Sequence, residues 1–158
     1  MKLALKRLQK ELREFNEEEP EGITAGPIDD SDFFKWEASV LGPEDSPYEG
    51  GTFNLNIEFH RDHPFRPPQM FITTKIFHPN LNYGSGQICC CALDFLKNSW
   101  SPDFSISRIL KAFQQLLQCP NIDKICGLGN EYAGKLYKED KHQFEMIAKE
   151  WTEKYASE

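Results

Sequence analysis

Two segments of strict apolar–polar alternation constrain the fold more than any other feature of the chain. Phe34, Trp36, Ala38 and Val40 alternate with Lys35, Glu37 and Ser39, and Phe53, Leu55, Ile57 and Phe59 alternate with Asn54, Asn56 and Glu58. Successive side chains of a strand point to opposite faces, so each segment predicts a strand with one buried and one wet face. Gly42-Pro43 and Gly50-Gly51 punctuate them as turns, and a shorter strand is expected over 70–74. Helical spacing replaces this alternation at both ends. Leu5, Leu8, Leu12 and Phe15 predict an amphipathic helix over residues 1–16, with Glu11 and Glu14 on its polar side. Ile109, Leu110, Phe113, Leu116 and Leu117 form a second stripe, with Ser105 or Ser107 as N-cap and Pro120 beyond its end. A short helix follows near 131–137, and a last one over about 139–156 carries Phe144, Ile147, Trp151 and Tyr155 on one face. Strands segregated from helices mean α+β. The expected order is an N-terminal helix, a four-stranded antiparallel meander, a long irregular segment and three C-terminal helices. The 158 residues are read as one domain, 1–158, long enough to bury a hydrophobic core.

Charge is distributed unevenly. Residues 1–16 carry five basic residues (Lys2, Lys6, Arg7, Lys10 and Arg13) against two acids, whereas the turn-rich stretch 17–32 carries seven acids and no base. A charge run is usually a solvated face, but this reversal also fits a basic docking surface. The overall charge of −7 argues against a nucleic-acid binder, which needs a positive footprint. No run of about 18 apolar residues is present, and the N-terminus is too charged for a signal-peptide core. A reducing compartment, cytoplasmic or nuclear, is therefore expected.

The longest stretch without periodicity is 77–104, and segments of that kind in a compact domain are usually functional. It holds His78-Pro79-Asn80, Gly84, Gly86, three consecutive cysteines (Cys89, Cys90 and Cys91) and Trp100-Ser101-Pro102. Three adjacent cysteines on extended backbone cannot all point inward, so at least one thiol is expected to face solvent. Zinc suits this run poorly, because thiolate pairs normally need a spacer of two to four residues, and a vicinal disulfide is strained. A thiol–imidazole dyad stays open, with His78 the nearest histidine in sequence. Cys119 and Cys126 are read as small buried hydrophobes.

Phe77-His78-Pro79-Asn80-Leu81 followed by Gly86-Gln87-Ile88-Cys89 resembles the active-site signature of the ubiquitin-conjugating enzymes. Residues 4–12 resemble the family's first helix, and Pro43 with Tyr48-Glu49-Gly50-Gly51 its Gly-Pro…Tyr-x-Gly-Gly turn. Pro64-Phe65-Arg66-Pro67-Pro68 and Trp100-Ser101-Pro102 resemble its two ligase-facing loops, and 150–156 resembles the closing helix of the members that work with many ligases. The resemblance implies an acyltransferase. It accepts ubiquitin from the activating enzyme as a thioester on Cys89 and passes it to a substrate lysine with a ligase, RING or HECT type, bound. A thioester splits one difficult acylation into two easier steps. Asn80 is implied as oxyanion donor or loop organiser, and Asp123 as a carboxylate near the incoming amine. Read from the residues alone, Asn80 is a turn residue that satisfies backbone groups. Lys6, Arg7, Lys10, Phe65 and Pro102 are implied as activating-enzyme and ligase contacts, and Thr24 as a backside ubiquitin contact. No metal, organic cofactor, nucleic acid or membrane is implied.

The pattern is broken twice. Cys90-Cys91-Ala92 is inserted between Cys89 and Leu93-Asp94-Phe95-Leu96, leaving Cys90 and Cys91 as rival acceptors. Near 119–127, Lys124 stands where the family carries an acid, beside Asp123. Two alternatives follow: a catalytically impaired variant acting as a ubiquitin- or ligase-binding module, and a thiol protein whose vicinal cysteines block charging by disulfide exchange.

Overall fold

The computed structural model describes residues 2–88, 92–96, 99–123 and 129–157, with Asp94 by its backbone only. The chain begins with helix α1 (Lys2–Glu18), then strands β1 (Ile23–Pro27), β2 (Lys35–Leu41), β3 (Thr52–Glu58) and β4 (Gln69–Ile72). A 3-10 turn at Asp94–Leu96 precedes α2 (Ile106–Gln118), α3 (Glu131–Glu139) and α4 (Lys141–Trp151). One π-helical turn, Thr152–Ala156, continues α4. The four strands form an antiparallel sheet in the order β1-β2-β3-β4, so the α+β architecture is as the sequence predicts.

Register follows from the alternation. Trp36 faces Ile57, Ala38 faces Leu55 and Val40 faces Phe53, and all six side chains are buried. A one-residue slip would move all six to the polar face, so the burial itself holds the register. The opposite face presents Glu37, Ser39, Asn54 and Asn56. Strand β1 lies inside the acidic stretch read as turns. Only Ile23 of it is buried, so its period-two signal is too weak to read, and pairing with β2 decides its state.

Helix α2 covers the core face. Ile109, Leu110, Phe113, Leu116 and Leu117 are all buried, as their spacing predicts. Of the two N-cap candidates, Ser105 caps by accepting the Arg108 N–H. Ser107 is buried and donates its hydroxyl to the Glu18 carboxylate, which also meets Lys111 at 3.3 Å and so ties α1 to α2.

Two expectations about individual side chains are corrected. Glu11, placed on the polar side of α1, is 4% exposed and buried with Ala4, Leu8 and Phe15, while Leu5 is exposed. Glu11 lies three residues after Leu8 and seven after Ala4, so it occupies the stripe that faces inward. Cys119, expected to be buried, is exposed because it sits at the C-cap of α2, where the stripe has ended.

Candidate functional site

The His78-Pro79-Asn80 motif is the floor of the site, and all three of its residues are buried. The His78 Nε2–H donates to the Leu116 carbonyl at 2.8 Å, and Nδ1 accepts the Asn80 N–H at 3.0 Å. Both nitrogens therefore answer backbone groups of a neutral ring. Burial pulls its pKa from 6.5 down to about 4, against a smaller opposing effect of the Leu116 hydrogen bond. His78 is thus a brace, and a dyad through His78 fails on geometry: neither of its nitrogens is free to take a thiol proton. Tyr48, from the Tyr-Glu-Gly-Gly turn, is buried beneath it and donates its hydroxyl to the Phe77 carbonyl at 2.6 Å. Burial raises the Tyr48 pKa, which keeps that donor protonated.

Asn80 grips the segment that follows α2. Its Nδ2 donates to the Asn121 carbonyl at 2.9 Å, and its Oδ1 accepts the Asn121 N–H at 2.8 Å. The Pro79 carbonyl accepts the Asn130 N–H at 2.9 Å, so the motif bonds both Asn121 and Asn130. Asp123 is exposed two residues beyond that grip. Lys124 and Cys126 lie outside the described residues.

The chain approaches position 89 along a fixed path. Leu81 bridges Ile88, the Asn82 carboxamide accepts the N–H groups of Gly84 and Ser85, and the Ile72 N–H donates to the Gly86 carbonyl at 2.9 Å. Gly86 sits at φ +77, and a Cβ there would come within 2.4 Å of the Ile72 carbonyl oxygen. Only glycine meets both demands. Cys89, Cys90 and Cys91 lie outside the described residues. Among the described residues, no cluster of three or more His, Cys, Asp or Glu could hold a metal ion.

A second assembly joins the residues read as docking contacts. Trp100 Nε1–H donates to the Pro64 carbonyl at 2.8 Å, fastening the Trp-Ser-Pro loop to the Pro-Phe-Arg-Pro-Pro loop. The Arg7 guanidinium donates to the Pro102 carbonyl and lies 3.6 Å from Glu11, fastening α1 to the same loop. Beneath them, Glu11 Oε2 meets His63 Nε2 at 2.6 Å, and the His63 ring packs against Phe59 and Trp100. Phe65, at 71% exposure, and Pro102 stand at the surface above this network. Lys6 and Lys10 are exposed, whereas Arg7 is half-buried and braces the corner from below. The Glu11–His63 pair escapes sequence reading. Its signals, Glu11 in the apolar stripe and His63 before a proline, say nothing about mutual distance.

Thr24 is exposed on the polar face of the sheet, where its hydroxyl shares a hydrogen bond with Ser39. Glu37, Asn54, Asn56 and Thr73 line the same hollow. It lies on the face opposite the core and shares no lining residue with His78-Pro79-Asn80. No helix among the described residues is long and apolar enough to cross a membrane.

Residues 7–152 match the family model described as ubiquitin-conjugating enzyme. Among solved structures, the chain is similar to a candidate ubiquitin conjugating enzyme from Plasmodium yoelii, with 41% identity and a TM-score of 0.88. That match covers 98% of this chain and 96% of the other. It is also similar to the E2 domain of a Toxoplasma gondii ubiquitin conjugating enzyme, at 36% identity and a TM-score of 0.84, over 96% of this chain and 97% of that one. A family match across nearly the whole chain agrees with the helix–sheet–helices order and the His-Pro-Asn floor: the chain belongs to the ubiquitin-conjugating enzyme family.

Proposed function

We propose that the protein is an active conjugating enzyme, with Cys89 as the acceptor of ubiquitin. The observation that carries this reading is the braced path from Asn80 to Ile88. Leu81, next in sequence to the buried Asn80, bridges Ile88, the residue that precedes Cys89. In the first step the Cys89 thiolate attacks the thioester carbonyl on the activating enzyme. A new C–S bond forms, the old one breaks, and the departing thiolate takes up a proton. In the second step a lysine amine attacks the Cys89 thioester, the Cys89 thiolate leaves, and the amine loses a proton. The tetrahedral oxyanion between these states is one that a neutral amide donor can stabilise. The Asn80 carboxamide has one Nδ2–H beyond the one given to Asn121, and the grip on Asn121 holds the carboxamide plane in place. Asp123, exposed next to that grip, is the carboxylate that draws in the amine.

The partners follow the same reading. Lys6, Lys10, Phe65 and Pro102 form the face for the activating enzyme and the ligase, held in shape by Arg7. Thr24 marks a ubiquitin contact on the opposite sheet face.

Incubation with activating enzyme, ATP and ubiquitin, followed by a non-reducing gel, tests the proposal. A band heavier by one ubiquitin and lost with reductant is expected. Cys90→Ser and Cys91→Ser keep it, and Cys89→Ser replaces it with a reductant-resistant ester or nothing. A Cys89→Ser variant that still yields the reductant-sensitive species moves the acceptor to a neighbour. A wild-type chain that never charges is a binding module, and one that charges only after prior reduction is a redox-gated thiol protein.

A further inference from the structure

The loop that carries the chain into position 89 is fastened at its tip as well as at its base. The base is held by backbone, through Ile72 and Gly86 and through the Leu81–Ile88 bridge. The tip bears Tyr83, an aromatic ring 51% exposed on a turn whose neighbours are Asn82, Gly84 and Ser85. A large ring on such a turn needs a partner to be ordered. It has two. The ring stands edge-on to Trp151, centroids 5.1 Å apart and planes at 87°. The Lys75 ammonium lies 5.4 Å from the Tyr83 centroid, 5.0 Å from that of Trp151 and 4.8 Å from that of Tyr155. All three distances are within cation–π range.

Trp151 connects this box to the floor of the site. Its ring packs at 5.2 Å against Phe77, the buried residue immediately before His78-Pro79-Asn80. The helix that carries Trp151 is itself seated tightly. A Cβ on Gly51 would come within 2.6 Å of Thr152 Cγ2, so the π-helical turn lies directly on the backbone that opens β3. One indole thus touches both the floor, through Phe77, and the loop leading to the acceptor, through Tyr83.

We propose that Lys75, Tyr83 and Trp151 form a clamp by which the C-terminal helix holds loop 82–88 in the position that presents residue 89, making Tyr83 and Lys75 positioning residues for transfer. The proposal rests on the reading of Cys89 as acceptor. Neither residue reaches the reacting atoms; each acts through the loop. The clamp is built from ring faces and an ammonium, so the ring of Tyr83 matters and its hydroxyl does not.

Two measurements on the full chain test it. Hydrogen exchange reads the loop directly, and single-turnover discharge of the preformed thioester to free lysine reads positioning. Tyr83 is half exposed, so its replacement leaves the core intact. Tyr83→Ala, which loses both the Trp151 and the Lys75 contact, is expected to speed exchange at 82–88 by about fivefold or more, without changing β2 and β3. The discharge rate at saturating lysine falls severalfold while the KM for lysine holds. Tyr83→Phe restores both, and Lys75→Met gives a smaller version of the Tyr83→Ala result. Unchanged exchange in Tyr83→Ala, or faster exchange with unchanged discharge, overturns the proposal. If the wild-type chain forms no thioester, the acceptor reading fails by itself. The exchange result and the alkylation rates of residues 89–91 in Tyr83→Ala then decide the clamp: either one unchanged would sink it.

Discussion

His63 and His78 are both buried, 2% and 0% exposed, and each stabilises one working region of the molecule, but they are satisfied in opposite ways. His78 gives one nitrogen to the Leu116 carbonyl and the other to the Asn80 N–H, so its partners are backbone and the ring is neutral. His63 gives one nitrogen to the Glu11 carboxylate, and its Nδ1 and the second Glu11 oxygen have no hydrogen-bond partner among the described residues. A backbone-satisfied histidine fixes chain conformation and has no simple replacement. A histidine satisfied by a carboxylate joins two elements through side chains, and an apolar pair of similar shape can do the same. The floor under His78-Pro79-Asn80 is therefore built for one geometry, and the corner that joins α1 to the Trp-Ser-Pro loop is built to be retuned.

The largest test of this contrast is Glu11→Ala. It removes the carboxylate from a buried imidazole and from Arg7 together, and is expected to lower unfolding free energy by about 3 kcal/mol. Denaturant titration measures it. The double change Glu11→Leu with His63→Phe should recover most of that loss, and failure to recover would mean the corner is as specific as the floor. Acid titration gives the matching test for His78. Its folded pKa, about 4, lies below the ordinary 6.5, so the unfolded chain binds the proton first. Stability from this group is fully present above pH 6.5 and is lost as pH falls toward 4, by about 3 kcal/mol in all. In His78→Gln, less stable at pH 7, that limb should be shallower by the His78 contribution. If wild type and variant fall in parallel between pH 6.5 and 4, the ring is not held neutral.

Asn80→Ala breaks the two hydrogen bonds to Asn121 and is expected to cost about 2 kcal/mol, with faster exchange of the Asn121 amide. A change in lysine discharge without that loss of stability would make Asn80 an oxyanion donor alone. The smallest expected effect is on stability in Phe65→Ala, within about 0.5 kcal/mol, because the ring is exposed. Ligase-stimulated discharge should fall in the same variant, and unchanged stimulation would remove Phe65 from the docking face.

Legibility tracked the range of the interaction. Trp36 to Val40 and Phe53 to Ile57 announced their strands because burial repeats every second residue, and Phe113 to Leu117 announced α2 in the same way. Strand β1 was hidden because its partner, not its own pattern, orders it. Within the site, the His-Pro-Asn motif was legible, but the role of His78 was not. Its choice between base and brace depends on Leu116, 38 positions away. The meeting of Glu11 with His63, 52 positions apart, and of Lys75 with Trp151 is equally invisible in one dimension.

Sequence alone determined the buried faces of β2 and β3, the apolar stripe of α2 and the segregation of α from β, because each depends on residues close together in the chain. Tertiary structure alone decided that Glu11 is buried, that Cys119 is exposed, that His78 is held neutral, and that Trp151 bears on both the floor and the approach loop. Each of these depends on what packs against the residue, and packing is set by elements far apart in sequence.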